Sequence, residues 1–172
     1  MMDQVRDAIR DIPDFPKPGI LFKDITPVLS DPALFRSVIS FFASRHQDAP
    51  PDRIAGIESR GFIFGAALAD RLGVGFIPIR KKGKLPAETL DATYDLEYGT
   101  ATLEIHKDAL RPGERVLLID DLLATGGTAK AAAGLIEALG GVVMEIDFLV
   151  ELSFLNGCNQ LANQTVFAPI IY

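Results

Sequence analysis

The chain has 172 residues, 48% of them hydrophobic, which is enough for one domain with a single buried core. Its 23 acidic residues outnumber 17 basic ones for a net charge of -6, arguing against general affinity for nucleic acid or anionic lipid and making any anion site a local feature. Cys158 is the one cysteine, so an internal disulfide and a Cys-rich zinc site are both excluded, and a reducing, cytoplasmic setting with a passive thiol is expected.

The first fifteen residues mix both charge signs and lack the apolar stretch of an export signal. No run approaches the roughly 18 apolar residues that span a bilayer. Val5, Ala8, Ile9 and Ile12 recur at helical spacing, and the pattern breaks at the proline-rich 13–18 and Gly19, so the segment reads as an arm leading into a loop. Ser30, Asp31 and Pro32 signal a helix start, and Leu34, Phe35, Val38, Phe41 and Phe42 form one apolar stripe running towards His46. His46 is expected at the surface or at the helix end.

Next come a strand over 53–57, a helix over 62–72 stopped by Gly73, and a strand over 76–79. Residues 80–105 interrupt the alternation with a basic cluster, a proline and two strand-like runs around Gly99 and Thr100, which predicts a long loop passing into a hairpin, a candidate hood or lid. A strand over 115–119, a helix over 128–139 stopped by Gly140 and Gly141, and a long strand over 142–150 complete the pattern. Short apolar strands alternating with helices imply an α/β fold with a central parallel sheet flanked by helices. In such a sheet ligands lie beyond the carboxyl ends of the strands, here just after Ile57, Ile79 and Ile119.

After the last of these positions comes Asp120, Asp121, Leu122, Leu123, Ala124, Thr125, Gly126, Gly127, Thr128, followed by an alanine-rich helix. The two glycines let backbone N–H groups approach a ligand, Thr125 and Thr128 offer hydroxyls, and the helix N-terminus favours a phosphate. Two adjacent carboxylates at a buried strand end need a partner, and sugar hydroxyls can supply one. A bare Gly-Gly turn would be an ordinary connection with solvated caps, but the whole string is far more specific. It resembles the phosphoribosyl pyrophosphate motif of the type I phosphoribosyltransferases. It is neither a P-loop nor a Rossmann fingerprint, since G-x-x-x-x-G-K-[ST] and G-x-G-x-x-G are both absent.

Gly56, Ile57, Glu58, Ser59, Arg60, Gly61 follows the first core strand. Its G-x-x-S-x-G spacing does not match the hydrolase elbow G-x-S-x-G. By resemblance it is the family's pyrophosphate loop, with Ser59, Arg60 and Gly61 holding the leaving group. Arg80, Lys81, Lys82 and Lys84 would ordinarily be a solvated surface cluster, but they follow a strand's carboxyl end, where they can focus potential on a highly charged substrate.

The resemblance covers nearly the whole chain and narrows to the branch of the family that acts on adenine. Phe15 to Pro27 is similar to that branch's adenine-recognition segment, and the segments 58–64, 80–86, 96–99 and 120–128 follow in order. The resemblance implies a single domain over 1–172, with 1–28 as arm and adenine-recognition segment and 80–105 as hood. It implies that adenine stacks on Phe22 while backbone groups of Leu21 and Lys23 read its edge. A backbone carbonyl there accepts from a 6-amino group and opposes a 6-oxo group. It also implies Glu97 as general acid and base at purine N7, with Glu104 a nearby rival, and Tyr98 as the residue that orders the closed hood. Arg60, Lys81 and Lys84 would offset charge on the departing pyrophosphate. Glu58, Ser59, Gly61, Arg80, Asp120, Asp121, Ala124, Thr125, Gly126, Gly127 and Thr128 complete the expected substrate contacts. Mg²⁺ is expected on the substrate's own pyrophosphate and ribose oxygens, with no direct protein ligand. A homodimer with no nucleic-acid or membrane partner is the implied assembly. The competing expectations are a transferase for hypoxanthine, guanine or xanthine, and a DNA-binding regulator that keeps the sugar phosphate site; the acidic charge and the lack of an added domain weigh against the regulator.

Overall fold

The computed structural model describes residues 2–96 and 99–172. The chain divides into two compact units, 1–45 and 46–172.

The first unit begins with helix α1 (Met2–Ala8), which ends before Ile12 because Arg10–Pro13 forms strand β1 and pairs antiparallel with β2 (Leu21–Asp24). The expected loop at the proline-rich stretch is present, but as the connection of a hairpin whose strands were not expected. Pairs between eight and fourteen residues apart make it, from Pro13 with Leu21 to Arg10 with Asp24, and local periodicity does not report those. Arg10 donates twice to Asp24, and Asp24 also accepts from the backbone N–H and hydroxyl of Thr26. The Arg10 guanidinium and the Thr26 donors hold the Asp24 carboxyl down at about 2. Helix α2 (Thr26–Ser30) follows, then α3 (Pro32–His46), whose start is capped as expected: Asp31 Oδ1 accepts from the N–H groups of Ala33 and Leu34 at 2.8 and 3.1 Å.

The second unit is built on one mixed sheet. Strands β3 (Arg53–Ile57), β4 (Gly75–Lys81), β7 (Arg115–Leu123) and β8 (Val142–Glu151) are mutually parallel where they pair, in the order β8-β7-β3-β4. Short strands β9 (Val166–Phe167) and β10 (Ile170–Ile171) add to β8, also in parallel. At the other edge the hairpin of β5 (Thr89–Asp95) and β6 (Thr100–His106) joins antiparallel, with Arg80 opposite Glu104 and Lys81 opposite Leu103. The expected central parallel sheet is present in the core strands, and the expected hairpin joins its edge antiparallel. β4 runs two residues past Ile79, and those residues carry the pairing that welds the hairpin on.

Helix α4 (Arg60–Leu72) covers one face and α5 (Gly127–Ala138) the other. On the α5 face Ala55, Ile57, Ile77, Ile79, Val116, Leu118, Ile146 and Phe148 meet Ala129, Ala132, Ala133 and Ile136. Because side chains alternate along a strand, Gly56, Phe76 and Ile119 fall on the α4 face, where Gly65 packs against Phe76 and Ile119. Burial on both faces is why these strands read as unbroken apolar runs, each fully buried Ile or Leu contributing about 1.5–3 kcal/mol. α4 stops at Gly73, left-handed at φ 69, as its position in the sequence implied. Among the described residues no helix is long and apolar enough to cross a membrane.

His46 ends α3, but it is not at the surface. It is buried, and its Nε2 lies 2.7 Å from Asp147 Oδ2, a partner 101 residues away that no sequence pattern announced.

Candidate active site

The carboxyl ends of β3, β4 and β7 open into a cavity of about 330 Å³ lined by Glu58, Ser59, Arg60, Lys81, Tyr94, Asp120, Asp121 and Thr128. A second cavity of about 150 Å³ runs along the turn from Leu122 to Thr128 and shares Arg60, Asp120, Asp121 and Thr128 with the first. The segment after Ile57 and the end of β7 with the turn that follows it thus meet at one cleft, although β7 runs on to Leu123 and does not end at Ile119.

β7 delivers the acids. It stays in register with β8 as far as Leu123, four residues past the strand end expected at Ile119, so Asp120 and Asp121 are strand residues, and both line the cleft. Asp121 is buried and pairs with Arg60, whose Nε donates to its Oδ2. Asp120 Oδ1 accepts the N–H of Asp121 at 2.8 Å. Burial, and then the negative charge of Asp121, push the Asp120 carboxyl well above the ordinary aspartate range, and the more distant Arg60 only partly opposes them. Gly61 serves close packing, since a Cβ there would come within 2.9 Å of Asp120 Oδ1 and the Ile119 carbonyl oxygen. That approach lets the start of α4 present Arg60 to Asp121.

The turn from Ala124 to Gly127 leads directly into α5. Gly126 precedes the helix at φ 87, in the left-handed region that favours glycine, and no side chain caps the first turn. The first N–H groups of the helix therefore have no intrahelical acceptor and lie beside the smaller cavity. Thr128 lines both cavities, and its hydroxyl donates to the Tyr94 hydroxyl at 3.1 Å. Tyr94 was not singled out from sequence, although it continues the inward-facing set Leu90, Ala92, Tyr94 of β5.

The basic cluster separates into roles. Lys81 lines the larger cavity. Arg80 donates from both Nε and a terminal nitrogen to Glu58 Oε2, each at 3.0 Å, and its guanidinium sits 6.0 Å from the Phe62 ring centre. Lys82 pairs with Asp91 at 2.7 Å. Lys84 contributes backbone: its N–H donates to Glu104 and its carbonyl accepts from Arg80. Burial pushes the Glu58 carboxyl up, but the Lys81 N–H and the Arg80 guanidinium outweigh it and hold it below the usual range. Glu104 is buried and accepts from the N–H groups of Lys84 and Leu85 at 3.0 and 2.9 Å, and these donors lower its carboxyl.

Leu21, Phe22 and Lys23 form β2 of the first unit, where Phe22 meets Phe15 edge to face at 5.1 Å and Lys23 pairs with Asp11. Glu97 and Tyr98 lie outside the described residues; their flanks, Leu96 and Gly99, close the hairpin with a 2.9 Å hydrogen bond.

The family model for the phosphoribosyl transferase domain matches residues 25–151. An adenine phosphoribosyltransferase from a Roseiflexus species is 58% identical over all 172 residues and the whole of both chains. The chain belongs to the adenine phosphoribosyltransferase branch of the phosphoribosyltransferase family. In structure, it is similar to adenine phosphoribosyltransferase from Thermoanaerobacter pseudethanolicus, with TM-score 0.97 and 55% identity over the whole of both chains. It is also similar to the Saccharomyces cerevisiae enzyme, solved with adenine and an imino-altritol bisphosphate, with TM-score 0.94 and 44% identity over 97% of each chain.

Proposed function

We propose that the chain transfers the 5-phosphoribosyl group of phosphoribosyl pyrophosphate to adenine, forming AMP and releasing pyrophosphate, as a purine-salvage pentosyltransferase. One observation carries this: Arg60, Lys81, Asp120, Asp121 and Thr128 share one cleft beside an uncapped helix start, in a chain 58% identical over its full length to an adenine phosphoribosyltransferase. Cations beside carboxylates suit a ligand bearing both phosphates and hydroxyls.

The amides from Ala124 to Gly127, with the Thr125 and Thr128 hydroxyls, take the 5-phosphate. Asp120 and Asp121 accept from the ribose hydroxyls. Ser59, Arg60 and Gly61, aided by Lys81, Lys84 and Arg80, offset the negative charge that grows on pyrophosphate as its bond to C1 breaks. Leu21 and Lys23 read the adenine edge through their backbone while Phe22 stacks on the ring. Glu97 manages the proton at N7, and Tyr98 helps to order the hood that excludes water. The occupation of Glu104 by backbone donors supports Glu97 over its rival.

The carboxylates in the cleft are hard oxygen donors, the type Mg²⁺ prefers, and Glu58, Asp120 and Asp121 each already have a protein partner. That fits an ion carried on substrate oxygens, with Asp120 and Asp121 as the carboxylates that would steady it. When bound, Mg²⁺ supplies charge neutralisation on the leaving pyrophosphate. We further propose one working domain, a cytoplasmic setting and a homodimer.

The test is incubation with Mg²⁺, phosphoribosyl pyrophosphate and adenine, hypoxanthine, guanine or xanthine in turn. AMP from adenine, with little product from the 6-oxo purines, is expected. Product from a 6-oxo purine in preference to adenine would overturn the assignment.

A further inference from the structure

The segment after β8 has no part in the chemistry described above, yet its backbone lies directly against the loop read as the 5-phosphate site. It consists of two short 3-10 turns, Ser153–Leu155 and Gly157–Leu161, joined at Asn156, which is left-handed at φ 53. A Cβ added at Gly157 would fall under 3.0 Å from the Ala124 carbonyl oxygen, and one added at Gly126 would fall equally close to the Gly157 carbonyl oxygen. No side chain separates the two backbones. The segment is itself anchored: Leu152 N–H donates to the Leu123 carbonyl at 2.9 Å, Ser153 is tied to Tyr172, and Leu161 is buried in the core beneath α5. Lys130, in the first turn of α5, donates to Gln160 Oε1 at 3.4 Å.

We propose that Gly157 is a positioning residue for substrate binding, its turn bracing the turn 124–126 so that the loop's amides stay aimed at the phosphate; this rests on the phosphoribosyl reading of that loop. The physical reason is directional. Hydrogen bonds from backbone amides weaken steeply as their angle departs from linear, and an unbraced glycine turn has many alternative conformations to enter. Leu123 and α5 hold the two ends of the loop, but Gly126 within it has no side chain to anchor it. The Gly157 backbone supplies that contact, and it can approach only because both partners lack Cβ atoms.

The test compares wild type with Gly157→Ala, measuring steady-state constants, calorimetric binding of ribose 5-phosphate, and unfolding by urea. We expect KM for phosphoribosyl pyrophosphate and Kd for ribose 5-phosphate to rise roughly tenfold together, with kcat and KM for adenine within about twofold. A loss of kcat and urea resistance with both phosphate constants unchanged would mark a bulk structural role and overturn the proposal. Should Gly157→Ala not fold, Asn156→Ala strains the same turn without adding an atom against the loop, and a rise of about threefold in the same constants is expected. Unchanged constants in that variant would equally overturn the brace. Wild type that binds no ribose 5-phosphate would remove the loop's assigned role itself, a result distinct from normal wild-type binding that the variants leave untouched.

Discussion

Asp120 and Asp121 show how neighbours in sequence can be given opposite chemistry. Asp121 has the Arg60 guanidinium, whereas Asp120 accepts the Asp121 N–H and faces the negative charge of Asp121. Its folded-state carboxyl is therefore raised, so its contribution to stability is full below the ordinary aspartate range and is lost as pH rises through the raised value. Ionising Asp120 in the folded protein carries a penalty that a hydrogen-bond donor placed beside it would relieve. Asp120→Asn keeps the acceptor for the Asp121 N–H and removes the charge. Its melting temperature is expected to exceed wild type by about 2–4 °C at pH 8, the gap closing towards pH 4, while phosphoribosyl pyrophosphate binds at least roughly tenfold more weakly. A variant less stable than wild type across that whole pH range would show that Asp120 is not under strain. Glu97 makes a separate residue-level claim. Glu97→Gln should lower turnover at least roughly tenfold with little change in phosphoribosyl pyrophosphate affinity, and near-normal turnover in a steady-state assay would remove it from the mechanism.

At the scale of elements, the β5–β6 hairpin does two jobs through two side chains. Tyr94 on β5 reaches Thr128 at the start of α5, and Glu104 on β6 gathers the loop that follows β4. The Glu104 carboxyl is lowered by those loop amides, so the stability it adds is present above the ordinary glutamate range and fades as pH falls through its folded value. Charged acceptors strengthen such bonds to about 1.5–3 kcal/mol. Glu104→Ala should accordingly speed amide hydrogen exchange at Lys84 and Leu85 by roughly tenfold or more. Exchange rates matching wild type would mean that the loop is ordered by something else. The basic cluster also makes sense at this scale. Four cations in five residues look equivalent in sequence, yet Arg80 and Lys82 pair with Glu58 and Asp91, while Lys81 lines the cleft.

For the whole molecule, the cleft is assembled from strand ends that are far apart in the chain, so filling it should resist global unfolding. At a concentration about one hundred times Kd, phosphoribosyl pyrophosphate with Mg²⁺ adds about 2.7 kcal/mol, or roughly 5–11 °C in melting temperature for a chain of this size. A thermal shift under about 1 °C at saturation would be incompatible with a substrate that binds only the folded protein. Periodicity alone was sufficient to place β3, α4, β7, α5 and β8 nearly as they occur, because buried parallel strands and one-sided helices write their environment into consecutive residues. The segment after Ile57 was legible for the same reason, whereas the end expected at Ile119 lies four residues further on, because pairing with β8 carries the polar Asp120 and Asp121 within the strand. What depended on distant partners was not legible. The β1–β2 hairpin, the antiparallel welding of Arg80 and Lys81 to Glu104 and Leu103, the burial of His46 against Asp147, the capture of Asp121 by Arg60 and the packing of Gly157 on the turn from Ala124 to Gly126 all join residues that the chain itself separates. Local sequence determines which segments bury an apolar face and which ends carry chemistry; only the tertiary structure decides which charges neutralise one another, since that depends on distances no one-dimensional spacing contains.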